Sequence, residues 1–401
     1  MPFWTKYPVR DTNPSARRKK NSCSGKVIKM VRKLLSIFKP INLLRITTVL
    51  GLLALGLSYL APFVHPETIW FLPFFGLAYP IAICLNLLLL IIWGIMKSRW
   101  ALYILLFILL GGNLHFRITA IALNSEEAPK TALKVLSYNV RLFDIYALKE
   151  DPSHANRDSI FAFLKREQAD VVCMQEFYYQ DHTVGFPSVD TFNTLLQAAH
   201  SHNRMSFSPG FRNYFGVAIY SKDPMITKGQ VDFEENGPQT NNFCIFADIV
   251  RDQDTFRVYN AHLQSIKFQQ DDYALFGDRA MTGNARSNIP ILLKKLHRAS
   301  CIRADQAKKV VEHMEQSPYP VILCGDFNAP PMSYTYNRFN NVFTDAFRNS
   351  SYGWGSTYAG KVPAGRIDYI FHSEKLESGD FQIQKGVFSD HRAISCRVWE
   401  K

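Results

Sequence analysis

The chain has 401 residues, 47% of them hydrophobic, with 46 Lys and Arg against 34 Asp and Glu, a formal net charge of +12. Eleven of those cations and one acid, Asp11, lie in residues 1–39, whereas residues 130–401 carry 31 cations and 30 acids, so charge alone does not indicate a strongly basic nucleic-acid-binding surface on the larger part. The 7 cysteines are scattered without a CxxC pair, which argues against a disulfide framework or a zinc site.

The basic arm, residues 1–39, reads as a cytoplasmic segment. Residues 40–123 read as a membrane region with apolar stretches at about 41–64, 69–96 and 100–118, the last interrupted near its end by Arg117. About 20 apolar residues cross a bilayer, so about three transmembrane helices are expected. Cations cluster before Ile41 and recur at Lys97 and Arg99, whereas the loop from His65 to Thr68 carries only Glu67. With three crossings this positive-inside pattern makes the chain multi-pass and places its C-terminal part outside the cytoplasm; the conclusion reverses if the third segment does not cross. The lipid bilayer is thus an expected partner, and the arm also suits anionic headgroups.

Residues 124–132 form a polar linker, and residues 133–401 a single soluble domain. Strands are expected at LKVLSYNV from Leu133, at ADVVCMQE from Ala169, at YFGVAIYSK, at Phe243–Val250, Thr255–His262, Val321–Cys324, Arg366–His372 and Ala393–Trp399. Helical spacing appears at Arg157–Glu167, Thr191–His200 and Leu292–Met314. Many strands are apolar on both faces, which argues for two packed sheets flanked by helices. Gln264–Leu292 reads as an insertion, either a loop over a site or a plain surface loop, with Phe268, Tyr273 and Phe276 within it.

Polar residues stand at the ends of these strand-like runs: Asn139, Glu176, His262, Asp326 with Asn328, Asp368, and Asp390 with His391. Any one of them alone reads as a turn or cap residue. Six such places, supplying carboxylates, amides and two imidazoles, point to a site built at one rim of a rigid scaffold. Carboxylates with an amide suit a hard cation, and His with Asp suits proton transfer or charge stabilisation.

The ordered pieces YNV, MQE, NAHL, GDFN, RIDYIF and SDH resemble the endonuclease/exonuclease/phosphatase superfamily over about residues 133–399. The resemblance implies an α/β (α+β) fold, a four-layer α/β/β/α sandwich of the DNase I-like type. It also implies a metal-dependent hydrolase of phosphoester bonds using Mg2+, with Mn2+ an alternative. By the same resemblance Glu176 is the principal metal ligand, with Asn139 and Asp390 beside it. Asp326 orients or deprotonates water, and Asn328 holds a phosphate oxygen or the nucleophile. His391, oriented by Asp368, stabilises the transition state, and His262 serves the leaving-group side.

Apurinic nucleases carry an acid where this chain has Arg141. Arg141 cannot bind a cation but can hold a phosphate. The phosphodiester substrate is expected to be nucleic acid or a phospholipid headgroup. The competing readings are a non-catalytic membrane-bound binding protein that keeps the fold, and a transporter, which the absence of acids in the first two apolar stretches disfavours.

Overall fold

The computed structural model describes residues 39–122, 127–149, 155–180, 189–208, 213–233, 242–266, 283–360 and 364–401. The basic arm lies outside the described residues, as do Phe268, Tyr273 and Phe276 of the insertion.

The first described element is an apolar helical bundle: α1 (Pro40–Leu60), the short α2 (Leu72–Leu77), α3 (Tyr79–Ile95) and α4 (Arg99–Leu110). Its composition is turned inside out. Thr48, Ser58 and Asn86 are fully buried. Asn86 Nδ2 donates to the carbonyls of Gly51 and Ala82, and Trp93 Nε1 donates to Thr48 Oγ1 at 2.8 Å. Leu50, Leu53, Ile81, Ile91, Ile95 and Leu109 instead point outward and are exposed.

Among the described residues only α1 is long and apolar enough to cross a membrane; α3 and α4 are shorter apolar helices. The expected count of about three spanning helices is therefore corrected. The second stretch breaks between α2 and α3, where Pro73 and Pro80 stand in the first turns of two separate helices. The third stops at Leu110 and tightens into a 3-10 turn, Gly112–Arg117, with Gly112 at φ +42°.

Residues after the bundle form β1 (Thr119–Ile121), then β2 (Leu133–Asn139), α5 (Ala155–Glu167), β3 (Val171–Gln180), α6 (Val189–Leu196), β4 (His200–Ser208), β5 (Asn213–Ser221) and β6 (Met225–Val231). There follow β7 (Phe243–Arg251), β8 (Asp254–His262), α7 (Gly283–Glu315), β9 (Val321–Asp326), α8 (Tyr334–Asn340), β10 (Thr344–Asp345), α9 (Ala346–Ser350), β11 (Tyr352–Trp354), β12 (Asp368–His372), β13 (Leu376–Ile383) and β14 (Ile394–Glu400). The end of the insertion, from Gly283, is thus the start of a helix. The helix expected to run to His200 ends at Leu196, because His200 opens β4.

Two six-stranded sheets result, in the orders β13-β14-β2-β3-β5-β4 and β10-β12-β9-β8-β7-β6. Alternation along each strand explains why the strands are apolar on both faces. In β9, Ile322 and Cys324 enter the core between the sheets with Val135, Cys173, Ile219 and Cys396. Val321 and Leu323 face the other way, onto Val310, Val311 and Phe339 of the flanking helices. Leu136, Val172 and Met174 face the opposite helical layer with Ile160, Phe163 and Phe192. The expected four-layer α/β/β/α sandwich is what these clusters describe.

Candidate active site

The parallel pairs β2–β3 and β8–β9 bring strand ends to one rim. His262 pairs with Asp326, and Asp326 with Asp368, so the three form one row across β8, β9 and β12. They share parity with Cys324 and Ile370, which face the core between the sheets. The row therefore crowns that core and looks toward β2 and β3.

Glu176 reaches the same point by breaking the rule of alternation. Cys173 and Gln175 face inward, whereas Met174 and Phe177 face outward. A bulge between Gln175 and Phe177 makes Glu176 the extra residue, at φ +48°. Bulges re-aim a side chain in this way beside functional sites. Asn328 also takes a left-handed conformation, φ +52°, which Asn tolerates better than most residues.

The side chains converge on Asp326. Asn139 Nδ2 donates to Asp326 Oδ2 at 2.9 Å and to Glu176 Oε1 at 3.3 Å. Asn328 donates to Asp326 through its backbone N–H at 2.8 Å and its amide at 3.2 Å. His391 Nε2 lies 3.7 Å and His262 Nε2 3.8 Å from Asp326 Oδ2. His391 Nδ1 meets the Asp368 carboxylate at 3.0 and 3.1 Å. His262 Nε2 is buried, 3.9 Å from Glu176 Oε1, and has no hydrogen-bond partner among the described residues.

Asp390 stands beside this group. Its carboxylate lies 3.6 Å from Arg141 Nε, and Arg141 also faces Asp144 at 3.6 Å. All nine residues singled out in the sequence thus come to one rim.

Burial and mutual charge divide the groups chemically. Burial, and after it Asp368, push the Asp326 carboxyl up to about 6 against the pull of the imidazoles. Burial works against a charged His391, but Asp368 and Asp326 overcome it and raise His391 to about 10. Burial lowers His262. Near neutral pH one imidazole is therefore a cation and the other a neutral ring. Burial and then Asp390 raise Glu176, a cost to the ionised carboxylate that a divalent cation beside it would relieve. A third of the Glu176 side chain is open to solvent, against 1% for Asp326.

Asp326, Asp368 and His391 each offer a ligand atom within 4.8 Å of the others, spacing that could hold a metal ion. Asp368 however spends both oxygens on Nδ1 of a protonated His391, and an imidazolium is a poor ligand. The chemistry of the donors favours Glu176 as the place for a hard cation.

Sequence reasoning missed the supporting residues. Gln175 Nε2 donates to Asn260 Oδ1 at 2.7 Å, and Asn260 Nδ2 donates to the carbonyls of Met174 and Ala218, tying the two sheets together beneath the site. Both residues lie inside the quoted motifs MQE and NAHL, so the signal was present. Thr357 Oγ1 accepts from the N–H groups of Ile367 and Asp368, and Ser389 Oγ donates to the Asn139 carbonyl. The Tyr358 ring stands edge-on to His391 with centroids 5.2 Å apart. Gln306 accepts from the Gln264 N–H, and Arg303 donates to the Gln264 carbonyl, pinning the turn after His262.

Two sheets crowned by carboxylates, amides and paired imidazoles define a hydrolytic rim of the phosphoesterase class. A family model described as the endonuclease/exonuclease/phosphatase family matches residues 136–391. The chain belongs to that family and is a hydrolase acting on phosphoester bonds; the family depends on divalent metal ions.

A second model, of a domain of unknown function, matches residues 41–118. No curated protein matches the chain. Among solved structures it is similar to the human Nocturnin catalytic domain with bound sulfate anion, at 17% identity and TM-score 0.47, covering 69% of this chain and 97% of that one. It is also similar to humanized D. rerio TDP2, at 16% identity and TM-score 0.44, covering 67% and 100%. A third likeness is to an endonuclease/exonuclease/phosphatase from Beutenbergia cavernae, at 16% identity and TM-score 0.47, covering 67% and 71%.

Proposed function

We propose that the protein is a membrane-attached phosphodiesterase in which water attacks phosphorus in line. The observation that carries this reading is the convergence on Asp326 Oδ2 of Asn139, Asn328, His262 and His391. Asp326 accepts the proton of the attacking water, which Asn328 helps to orient. The cationic His391, fixed by Asp368, donates to the phosphoryl oxygens as charge builds. The Nε2 of His262, 3.8 Å from Asp326 Oδ2 and 3.9 Å from Glu176 Oε1, faces the same space and serves the leaving group. Arg141, held at the rim by Asp390 and Asp144, is placed to meet a substrate phosphate.

Glu176, Asn139 and Asp390 would hold the cation, Mg2+ or Mn2+. When bound it supplies Lewis-acid neutralisation of the phosphate. The division into an arm (1–39), an apolar region (40–123), a linker (124–132) and a catalytic domain (133–401) belongs to the same proposal.

Membrane attachment is supported by the inverted bundle. A soluble protein rarely leaves so much contiguous Leu and Ile surface in water, and polar groups inside a helical bundle are usual in bilayers. Lys39, Lys97 and Arg99 lie at one end, whereas the turns after α1 and α4 meet helices α7 and α8, through His297 and Asn337, at the other. With α1 crossing, the positive-inside rule puts the site outside the cytoplasm.

The test is hydrolysis of bis(para-nitrophenyl) phosphate by the full chain with Mg2+, with Mn2+ and with chelator. Metal-dependent release that Asp326→Asn abolishes is expected. Release that is indifferent to both chelator and Asp326→Asn would overturn the reading.

A further inference from the structure

The bundle and the catalytic rim are not joined by a loose tether. Met332, six residues beyond Asp326, is fully buried and packs with Leu55, Tyr59, Tyr79 and Ala82 of the bundle. A Cβ on Gly76 of α2 would come within 2.3 Å of the Met332 carbonyl. Six extended residues span at most about 20 Å, so Asp326 stands within that distance of the bundle end.

A second observation concerns the surface beside this joint. Strands β1 and β11 pair as a two-stranded ribbon, with Ile121 opposite Tyr352 and Thr119 opposite Trp354. Ala120, on the other face, is buried in the core between the sheets. The outward face leaves Tyr352 80% and Trp354 71% exposed, with Ile121 and Phe116 exposed beside them. The ribbon follows directly on the 3-10 turn that ends α4, and Ile118, next to Thr119, packs on the cluster of Tyr59, Tyr79 and Met332, so this apolar face stands at the end of the bundle. Tyr and Trp at the end of an apolar helical bundle are residues of the water–lipid boundary.

We infer that Tyr352 and Trp354 seat the catalytic unit in the headgroup layer of the bilayer, and that the site hydrolyses a phosphodiester carried in that layer rather than one diffusing in solution. The inference rests on the phosphodiesterase and membrane readings above and adds the substrate class. A docked rim is exposed to substrate concentrated in the plane, which raises its effective concentration without any new contact at the site. Water adds to phosphorus, the bond to the leaving oxygen breaks, and that oxygen takes up a proton, so no co-reactant is required.

The experiment uses the full chain in phosphatidylcholine vesicles with two diesters of one leaving group: ethyl para-nitrophenyl phosphate in solution and hexadecyl para-nitrophenyl phosphate in the bilayer. Release from the hexadecyl ester is expected to exceed that from the ethyl ester by about 100-fold at equal total concentration. In Tyr352→Ser/Trp354→Ser, which replaces no residue of the site, the hexadecyl rate falls about tenfold and the ethyl rate stays unchanged.

Equal rates on the two esters, or a variant that lowers both together, would overturn the inference while leaving phosphodiester hydrolysis intact. Loss of the hexadecyl advantage that tracks dissociation of a dimer on size-exclusion would assign the patch to a second copy of the chain and also overturn it. No release from either ester with Mg2+ or Mn2+ would bring down the functional reading itself.

Discussion

Asp368 grips His391 at Nδ1, 3.0 Å away, and leaves His391 Nε2 aimed at Asp326 from 3.7 Å. The residues are far apart in the chain, and the pairing fixes both the charge and the direction of the imidazole. A carboxylate so placed keeps a buried ring protonated.

Asp368→Asn keeps the shape and removes the charge. Without that carboxylate the largest force raising His391 is gone, so its ionisation moves down from about 10 toward neutrality. The expected result is a fall in kcat of about 10²–10⁴-fold, with the alkaline limb of the pH–rate profile shifted to lower pH. His391→Ala is expected to lose as much rate and to lose that limb altogether.

Asp326 sets the acid limb. Its carboxyl sits at about 6, so activity should decline with unit slope as pH drops through that value. The stability effect has the opposite sense. The folded value lies above the usual ~3.9 of an unfolded Asp, so the folded form binds the proton more tightly. Stability is then gained as pH falls from above 6 to below 4, and the ionised group is a cost at pH 8. Asp326→Asn is expected to raise Tm at pH 8, with the gain shrinking toward pH 4, while activity disappears.

Glu176 sits in a bulge at φ +48°, a conformation that costs a side-chain-bearing residue about 1–2 kcal/mol. Glu176→Gly removes the strain and the carboxylate together. Thermal unfolding should show an unchanged or higher Tm, and titration calorimetry a weakened affinity for Mg2+. Undiminished Mg2+ affinity would remove Glu176 from the proposed ligands.

The buried pair of Arg366 and Asp345 links the bundle to the row of strands. Arg366 Nη2 lies 2.8 Å from Asp345 Oδ2 and donates to the Arg117 carbonyl at 2.7 Å, while Arg117 donates to Asn337. Both partners of the ion pair are almost fully enclosed. Asp345→Ala leaves the Arg366 cation stranded, and a loss of about 3–5 kcal/mol is expected by denaturant unfolding.

Gly76→Ala tests the joint more gently. The added methyl meets the Met332 carbonyl, so the bundle and the catalytic unit must separate slightly. Limited proteolysis should then cut faster between residues 110 and 133. Catalysis on a soluble diester should fall less than catalysis on a bilayer-borne one.

The sequence made the interior legible and the margins obscure. The eight strands read from it are the interior strands of the two large sheets; β4, β6, β10 and β13, which escaped, are their edges, and β1 and β11, which also escaped, form the separate ribbon. Interior strands are apolar on both faces because each separates two cores. Edge strands bear polar side chains and short runs, so periodicity does not distinguish them from loops.

The bundle misled by length. Continuous apolarity does not reveal where Pro73 and Pro80 open separate helices or where Gly112 turns the chain.

The letters alone singled out the groups that meet at the candidate site, because each chemistry-bearing side chain stands at or near the end of a strand whose apolar run declares it. Alternation could not determine where Glu176 points; on the period of two it belongs to the outer face, and a bulge turns it inward. The pairing of Asp368 with His391 was implied by the family resemblance and not by any local pattern, and no local pattern could show that Met332 would plug the bundle. Those depend on register between strands and on contacts between distant segments, which exist only once the two sheets and the bundle have packed.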